Sequence, residues 1–188
     1  LKEADGTFKY EVSERYTFSS EYQEVEYIES TGEQYINTGV NVSEDLNFEL
    51  VAECTSVADR DGAYFGARDS ININGQIVDG VNANGMVLWL NTMGQDESKQ
   101  IIIFRYGVGP DQISPFILNK GEKVYFRSNT SGNNVTYVSN DYKMSYEKQR
   151  VTYTGEIVLM GVGMGDGRVD ERTFIGKTYY FKIYKNKN

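Results

Sequence analysis

Hydrophobic side chains in this chain recur at every second position, and that period constrains the fold more than any other feature. A β-strand sends successive side chains to opposite faces, so a strand with one dry and one wet face reads as strict alternation. Asn47 to Cys54 is the clearest case: Phe48, Leu50, Ala52 and Cys54 alternate with Asn47, Glu49, Val51 and Glu53. No apolar stripe with the helical period runs longer than about two turns. Gln34-Tyr35-Ile36, Ala63 to Arg68, Met86 to Thr92, Ile101 to Tyr106 and Glu122 to Arg127 read as further strands. So do Thr136 to Val138, Gly155 to Met164 and Lys177 to Tyr184. About eleven short strands, with turn signals roughly every 8–12 residues, predict an all-β, two-sheet antiparallel sandwich or a barrel and argue against an α/β fold.

The turns carry their own chemistry. Asp59-Arg60-Asp61-Gly62 and Ser131-Gly132-Asn133-Asn134 separate strands, and Asn74-Gly75 and Asn84-Gly85 are hairpin signals because both residue types tolerate positive φ. The polar stretch Asp69 to Gly85 is too long for a plain hairpin connection. Fifteen tyrosines and nine phenylalanines against two prolines suit pleated, half-buried surfaces, and 19 glycines suit turns and bulges. A chain of 188 residues fits one ordinary domain, expected over residues 22–188. Thr7 to Tyr10 and Arg15 to Phe18 alternate only weakly, so residues 1–21 are expected to form a linker or an extra edge hairpin.

Charge and composition exclude several functions. A net charge of −8 argues against binding nucleic acid or anionic membranes, which requires a Lys/Arg patch to displace counterions. No apolar run approaches the ~18 residues of a membrane span. The absence of histidine removes the commonest general base and zinc ligand. The one cysteine, Cys54, is expected to be a small buried hydrophobe. The chain starts at Leu1 with no signal-peptide segment, the expectation for a mature product or excised fragment.

Several patterns look chemical and have plainer readings. Gly161-Val162-Gly163-Met164-Gly165-Asp166-Gly167 lacks the spacing of a dinucleotide fingerprint and precedes no helix, so it reads as a strand in close backbone contact followed by a turn. Glu24 and Glu26 share a strand face, as paired catalytic carboxylates would, but Glu29 does not. All three precede the first firm strand, a poor place for a cleft. Asp59, Asp61 and Asp69, or Asp166, Asp170 and Glu171, offer oxygens to Ca²⁺ without the spacing of an EF-hand loop, so no metal or other cofactor is expected. Asn41, Asn129 and Asn134 begin glycosylation sequons, which matter only in a secreting, glycosylating host.

The most informative pattern is how the central strands divide their faces. Phe65 and Ala67 oppose Tyr64, Gly66 and Arg68; Leu88 and Leu90 oppose Val87, Trp89 and Asn91; Ile102, Phe104 and Tyr106 oppose Ile101, Ile103 and Arg105. If the apolar sets share the core, the other face gathers Tyr64, Arg68, Trp89, Asn91 and Arg105. Aromatic platforms beside planar hydrogen-bonding groups suit sugar rings. These five are the candidate ligand-binding residues, with the Asp69 to Gly85 loop as one wall. The competing account is that the loop seals Trp89 and leaves a structural domain.

Glu26-Tyr27-Ile28-Glu29-Ser30-Thr31-Gly32-Glu33-Gln34-Tyr35-Ile36-Asn37-Thr38-Gly39 resembles the opening "EYIESTGTQYIDTG" of a bacterial and prophage domain family of the concanavalin A-like lectin/glucanase superfamily. Phe65-Gly66-Ala67-Arg68, Phe104-Arg105-Tyr106-Gly107 and the closing Lys177-Thr178-Tyr179-Tyr180-Phe181-Lys182-Ile183-Tyr184, similar to "KIYYFKIYDNG", keep the family's order. The family's "LVRDFIP" extension after the last strand is absent, and so is the Glu-x-Asp-x-x-Glu motif of the superfamily's hydrolases. The resemblance implies a jelly roll and a non-catalytic carbohydrate-binding or adhesion module of a larger surface or phage tail-associated protein. That places it outside the cell, on the cell surface or on a phage particle, with glycans or neighbouring domains as partners. A structural spacer is the alternative, and a glycoside hydrolase comes third. Because jelly rolls of this superfamily bring their ends together, the strand at Tyr35 is expected beside Lys177 to Tyr184. The expected core is Phe48, Leu50, Phe65, Leu88, Leu90, Phe104, Leu159, Phe181 and Ile183.

Overall fold

The computed structural model describes residues 25–55, 62–68, 71–73, 76–78, 85–92, 99–107, 112–147, 155–164, 167–170 and 175–185. The expected segment 1–21 lies outside them. No helix occurs among the described residues. The strands begin with β1 (Ile28–Thr31), β2 (Ile36–Asn41), β3 (Leu46–Cys54), β4 (Gly62–Arg68), β5 (Ile71–Ile73) and β6 (Gln76–Val78). The long central strands follow: β7 (Gly85–Thr92), β8 (Lys99–Gly107), β9 (Gln112–Asn119), β10 (Lys123–Ser131), β11 (Asn134–Ser139) and β12 (Tyr142–Glu147). The chain returns through β13 (Glu156–Leu159), β14 (Val162–Met164), β15 (Val169–Asp170) and β16 (Ile175–Lys185).

Two sheets stack face to face. One has the order β1-β16-β3-β10-β11-β12; the other runs β15-β14-β4-β7-β8-β9, with β13 joining both β2 and β4. Pairing is antiparallel except between β14 and β4. The stretch expected as a loop between Asp69 and Gly85 contains a small hairpin of its own, with Ile73 opposite Gln76 across the Asn-Gly positions.

The first and last described strands meet, but not where the sequence suggests. Ile28 to Thr31 pairs with Thr178 to Ile175, whereas Ile36, next to Tyr35, pairs with Leu159 in the opposite sheet. The strand after Tyr35 therefore does not join Lys177 to Tyr184. The turn at Gly32, held by the Thr31 N–H donating to Gln34 Oε1 at 2.8 Å, lets the chain leave one sheet and enter the other.

Alternation fills the space between the sheets. In β3 the even positions Leu46 to Cys54 are buried, and in β10 Val124, Phe126, Ser128 and Thr130 are buried between exposed neighbours. Phe65 enters from the second sheet and stacks on Phe48 at 4.6 Å between ring centres, with Phe181 at 5.1 Å. Phe104 meets Phe126 at 4.9 Å. Seven of the nine expected core residues are buried; Phe181 and Ile183 are only half-buried and pack against the cluster. The reason is local: β1 covers β16 only over Ile175 to Thr178, so the far end of β16 runs along the sheet edge. Beyond Arg127 the backbone ladder from β10 to β3 gives way to side chains. Ser128 Oγ accepts the Phe48 N–H at 2.9 Å, and the buried Asn47 Oδ1 accepts the Thr130 N–H at 2.6 Å, which satisfies donors that burial would otherwise strand.

Candidate functional site

The five residues expected to form a ligand platform do not form an open one. Ala63 lies opposite Trp89 and Phe65 opposite Leu88, so Tyr64 is one extra residue in β4, a β-bulge. The bulge resets the alternation: Ala63 faces outward with Trp89, and both Tyr64 and Phe65 enter the core. Tyr64 is thus a core residue, and burial pushes its phenol well above the usual range, with Cys54 adding to the effect. Arg68, Trp89 and Arg105 do share the outer face of the second sheet, but only 3%, 4% and 5% of their surfaces are exposed. The Arg105 guanidinium lies 5.1 Å from the centre of the Trp89 ring. Trp89 packs with Ala63, Val87, Ile103 and Val162 in a second apolar cluster. Asn91 pairs with Ile101 through its backbone, and its side chain lies outside the described residues. A sign of this second burial is present in the sequence. Met86-Val87-Leu88-Trp89-Leu90 and Ile101-Ile102-Ile103-Phe104 are uninterrupted apolar runs, as expected of strands covered on both faces.

Glu26 and Glu29 are exposed, Glu29 on the edge strand β1 opposite Lys177. Glu24, Asp59, Asp61, Asp69, Asp166 and Glu171 lie outside the described residues, and Asp170 ends β15 opposite Val162. Among the described residues no three acidic, Cys or His groups are placed to hold a metal ion. The glycine-rich run forms β14 and a tight turn, in which Met164 N–H donates to the Arg168 carbonyl at 2.7 Å and Gly167 N–H to the Met164 carbonyl at 3.0 Å. A Cβ at Gly163 would land on the Glu156 carbonyl oxygen, so the backbones of β13 and β14 touch there.

A cleft of about 220 Å³ opens where β2, β13 and the β14–β15 turn meet. Its polar lining is Asn37, Asn41, Glu156 and Arg168, over Val158 and Gly163. The geometry comes from a second irregularity. Asn37 and Asn41, four positions apart on β2, pair with Val158 and Glu156, only two apart on β13, so β2 arches at Gly39. Gly39 adopts φ +72°, and its N–H donates to Glu156 Oε1 at 2.6 Å. Thr38 Oγ1 donates to the Ile157 carbonyl at 2.7 Å and clamps the base of the arch. Asn37, Asn41, Glu156 and Arg168 therefore line one opening, with the Glu156 carboxylate also accepting the Gly39 N–H. The volume is below the ~300–1,000 Å³ of pockets for drug-sized ligands, so it suits one small polar ring or the end of a chain. Sequence reasoning named Asn41 only as the start of a sequon and passed over the others as site residues, because Asn-Thr-Gly-Val-Asn reads as an ordinary strand end. The available signal was its lack of large apolar side chains on either face.

No protein-family model matches the sequence, and no curated protein sequence matches it. Solved structures do. The chain is similar to the heptameric SAP-like pentraxin from Limulus polyphemus, with TM-score 0.50 and 10% identity over 80% of this chain and 66% of the pentraxin. It is also similar to galectin-Ib from Xenopus laevis (TM-score 0.42, 11% identity, 80% and 98% covered) and to a Bacillus licheniformis β-glucanase (TM-score 0.40, 12% identity, 82% and 69% covered). At 10% identity the likeness to the pentraxin is one of fold alone. With its two antiparallel sheets, the chain is a concanavalin A-like jelly-roll sandwich.

Proposed function

We propose that this chain is a non-catalytic carbohydrate-binding or adhesion module, and that its site is the cleft between β2 and β13. The observation that carries this reading is the convergence of Asn37, Asn41, Glu156 and Arg168 over a glycine floor. Amides, a carboxylate and a guanidinium supply both donors and acceptors, which is what vicinal sugar hydroxyls require. Hydrolysis is disfavoured because the usual glycosidase mechanisms need two flanking carboxyl groups, and Glu156 is the only carboxylate among the described lining residues. The resemblance of the terminal motifs supports membership of a bacterial or prophage surface protein, with further domains as neighbours and an extracellular, cell-surface or phage-particle location.

The test is a glycan array on the isolated chain, repeated with Asn41→Ala and Arg168→Ala. Binding that weakens about tenfold in either variant supports the cleft. Binding that survives both moves the site elsewhere. Release of reducing sugar from any array hit would instead establish an enzyme. The burial of Trp89 and both arginines favours a second reading, a structural spacer or protein-interaction module, which predicts no hit on the array.

A further inference from the structure

The open face of the first sheet carries an ordered pattern that neither the core nor the cleft uses. Three strands, β16, β3 and β10, set their outward side chains in cross-strand rows. Glu29 on β1, Lys177, Glu53 and Lys123 form one row. Tyr180, Val51 and Tyr125 form the next, and Lys182, Glu49 and Arg127 the third. An apolar row thus runs across the strands, with a row of alternating acids and cations on each side. Arg127 continues its row through Val138 to Lys143 on β12. Successive rows lie about 7 Å apart, and the cations within a row about 10 Å apart, from the spacings of residues and strands in a sheet.

The tyrosines leave this face open and orient its lysines. Tyr125 and Tyr180 are 45% and 44% exposed. Tyr179, an extra residue in β16, donates its hydroxyl to Glu53 at 2.8 Å, and Tyr180 donates to Glu49 at 3.3 Å. The lysines settle on rings: Lys123 lies 3.7 Å from the Tyr179 ring centre, Lys177 4.4 Å from Tyr27, and Lys182 5.1 Å from Tyr184. None of these three forms an ion pair with a described residue. Their charge is available to a ligand, whereas Arg127 pairs with Glu49 at 3.5 Å. With Glu29 and Lys143 included, the rows still hold more cations than carboxylates, in a chain whose net charge is −8. At physiological salt the Debye length is about 8 Å, so a ligand at this face responds to the rows more than to the distant acidic surface.

We infer that this face binds a polyuronate, a chain of carboxylate-bearing sugar rings, laid along the Tyr180–Val51–Tyr125 row. Ring faces stack on the tyrosines. In a ribbon whose successive rings are flipped, carboxylates project to alternate sides and meet the two cation rows, while Glu49 and Glu53 accept hydroxyls. Other occupants fit less well. A polyphosphodiester without rings has nothing to stack. An added peptide strand would pair along a sheet edge, at β12 or the far end of β16, rather than lie across the rows. A second copy related by a two-fold axis at Val51 would set Glu against Glu and cation against cation. The inference is separate from the cleft reading, since it concerns the other sheet.

Affinity electrophoresis of the whole chain through gels containing polygalacturonate, fully methyl-esterified polygalacturonate or single-stranded DNA tests it. Polygalacturonate should retard the chain, less so as salt rises, and the uncharged ester should not. Tyr125→Ala with Tyr180→Ala, and separately Lys123→Gln with Lys177→Gln, should each weaken retention about tenfold or more. Lys123→Arg with Lys177→Arg should retain it. All these positions are on the open face, and an unchanged thermal midpoint and circular dichroism spectrum show that each variant folds. No retardation by polygalacturonate overturns the inference. So does equal retardation by the ester or the DNA, retention that ignores both variants, or concentration-dependent dimerisation that the tyrosine variant abolishes.

Discussion

Phe65 joins the two sheets more directly than any other side chain, and replacing it with alanine measures how far the sandwich depends on that contact. Its ring has no exposed surface and sits 4.6 Å from Phe48, 5.1 Å from Phe181 and 6.1 Å from Phe126, all on the opposite sheet. Losing the buried ring costs roughly 1.5–3 kcal/mol in transfer free energy. β4 is held by β7 along one edge and by β13 and β14 along the other, so the backbone has little freedom to close the gap. A residual void on the order of 80 Å³ adds about 2 kcal/mol at ~24 cal/mol per Å³. The total, about 3.5–5 kcal/mol, is a large fraction of the stability of a domain this size. Urea titration followed by circular dichroism should show the midpoint falling with the slope m unchanged. Phe181→Ala, at the half-buried sheet edge, should cost about 1.5–2.5 kcal/mol, less because part of its ring is already in water. A loss below about 1 kcal/mol for Phe65→Ala would refute the packing, since a one-residue register slip exchanges the two faces. So would a larger loss for Phe181→Ala.

Three further outcomes are expected. Gly163→Ala forces a Cβ onto the Glu156 carbonyl and should destabilise the fold by about 1–3 kcal/mol, read as a lowered thermal midpoint, whereas an unchanged midpoint would mean that β13 and β14 are not in contact. Trp89, the only tryptophan, is 4% exposed, so its emission should be blue-shifted and resist iodide quenching; efficient quenching would show that its face is open. The hydrogen bond that Tyr179 donates to Glu53 pushes its phenol up to about 12. A pKa raised in the folded state contributes stability that is complete below the ordinary tyrosine pKa of about 10 and is lost as pH rises from there through about 12. Tyr179→Phe should therefore flatten that part of the stability profile, and an identical alkaline loss in both proteins would refute the assignment.

Most strands were legible because alternation survives wherever one face is wet. β10, and β3 from Phe48 onward, with every second residue exposed or half-exposed, show it best. The apolar partition of β7 and β8 was also correct: Leu88, Leu90, Ile102 and Phe104 lie between the sheets, and Trp89 and Arg105 on the other side. Tyr64 was misplaced because a bulge inserts one residue without leaving a mark on the local pattern. The cleft was missed for a similar reason. Asn37 and Asn41 become neighbours of Glu156 and Arg168 only through the arch at Gly39 and a return of the chain more than a hundred residues later.

The sequence by itself therefore determined the class of fold, the strands and the apolar set that fills the sandwich. These follow from the period of hydrophobicity, and period is a local property. Only the tertiary structure decided which sheet each end strand joins, where the irregularities of the strands fall, and that Trp89 with its two arginines is buried. Each of those depends on which distant strand lies alongside, and on whether a face turned away from the core meets water or other protein. Pairings and coverings of that kind are set by free-energy differences among long-range alternatives that share one local pattern, so alternation alone does not distinguish them.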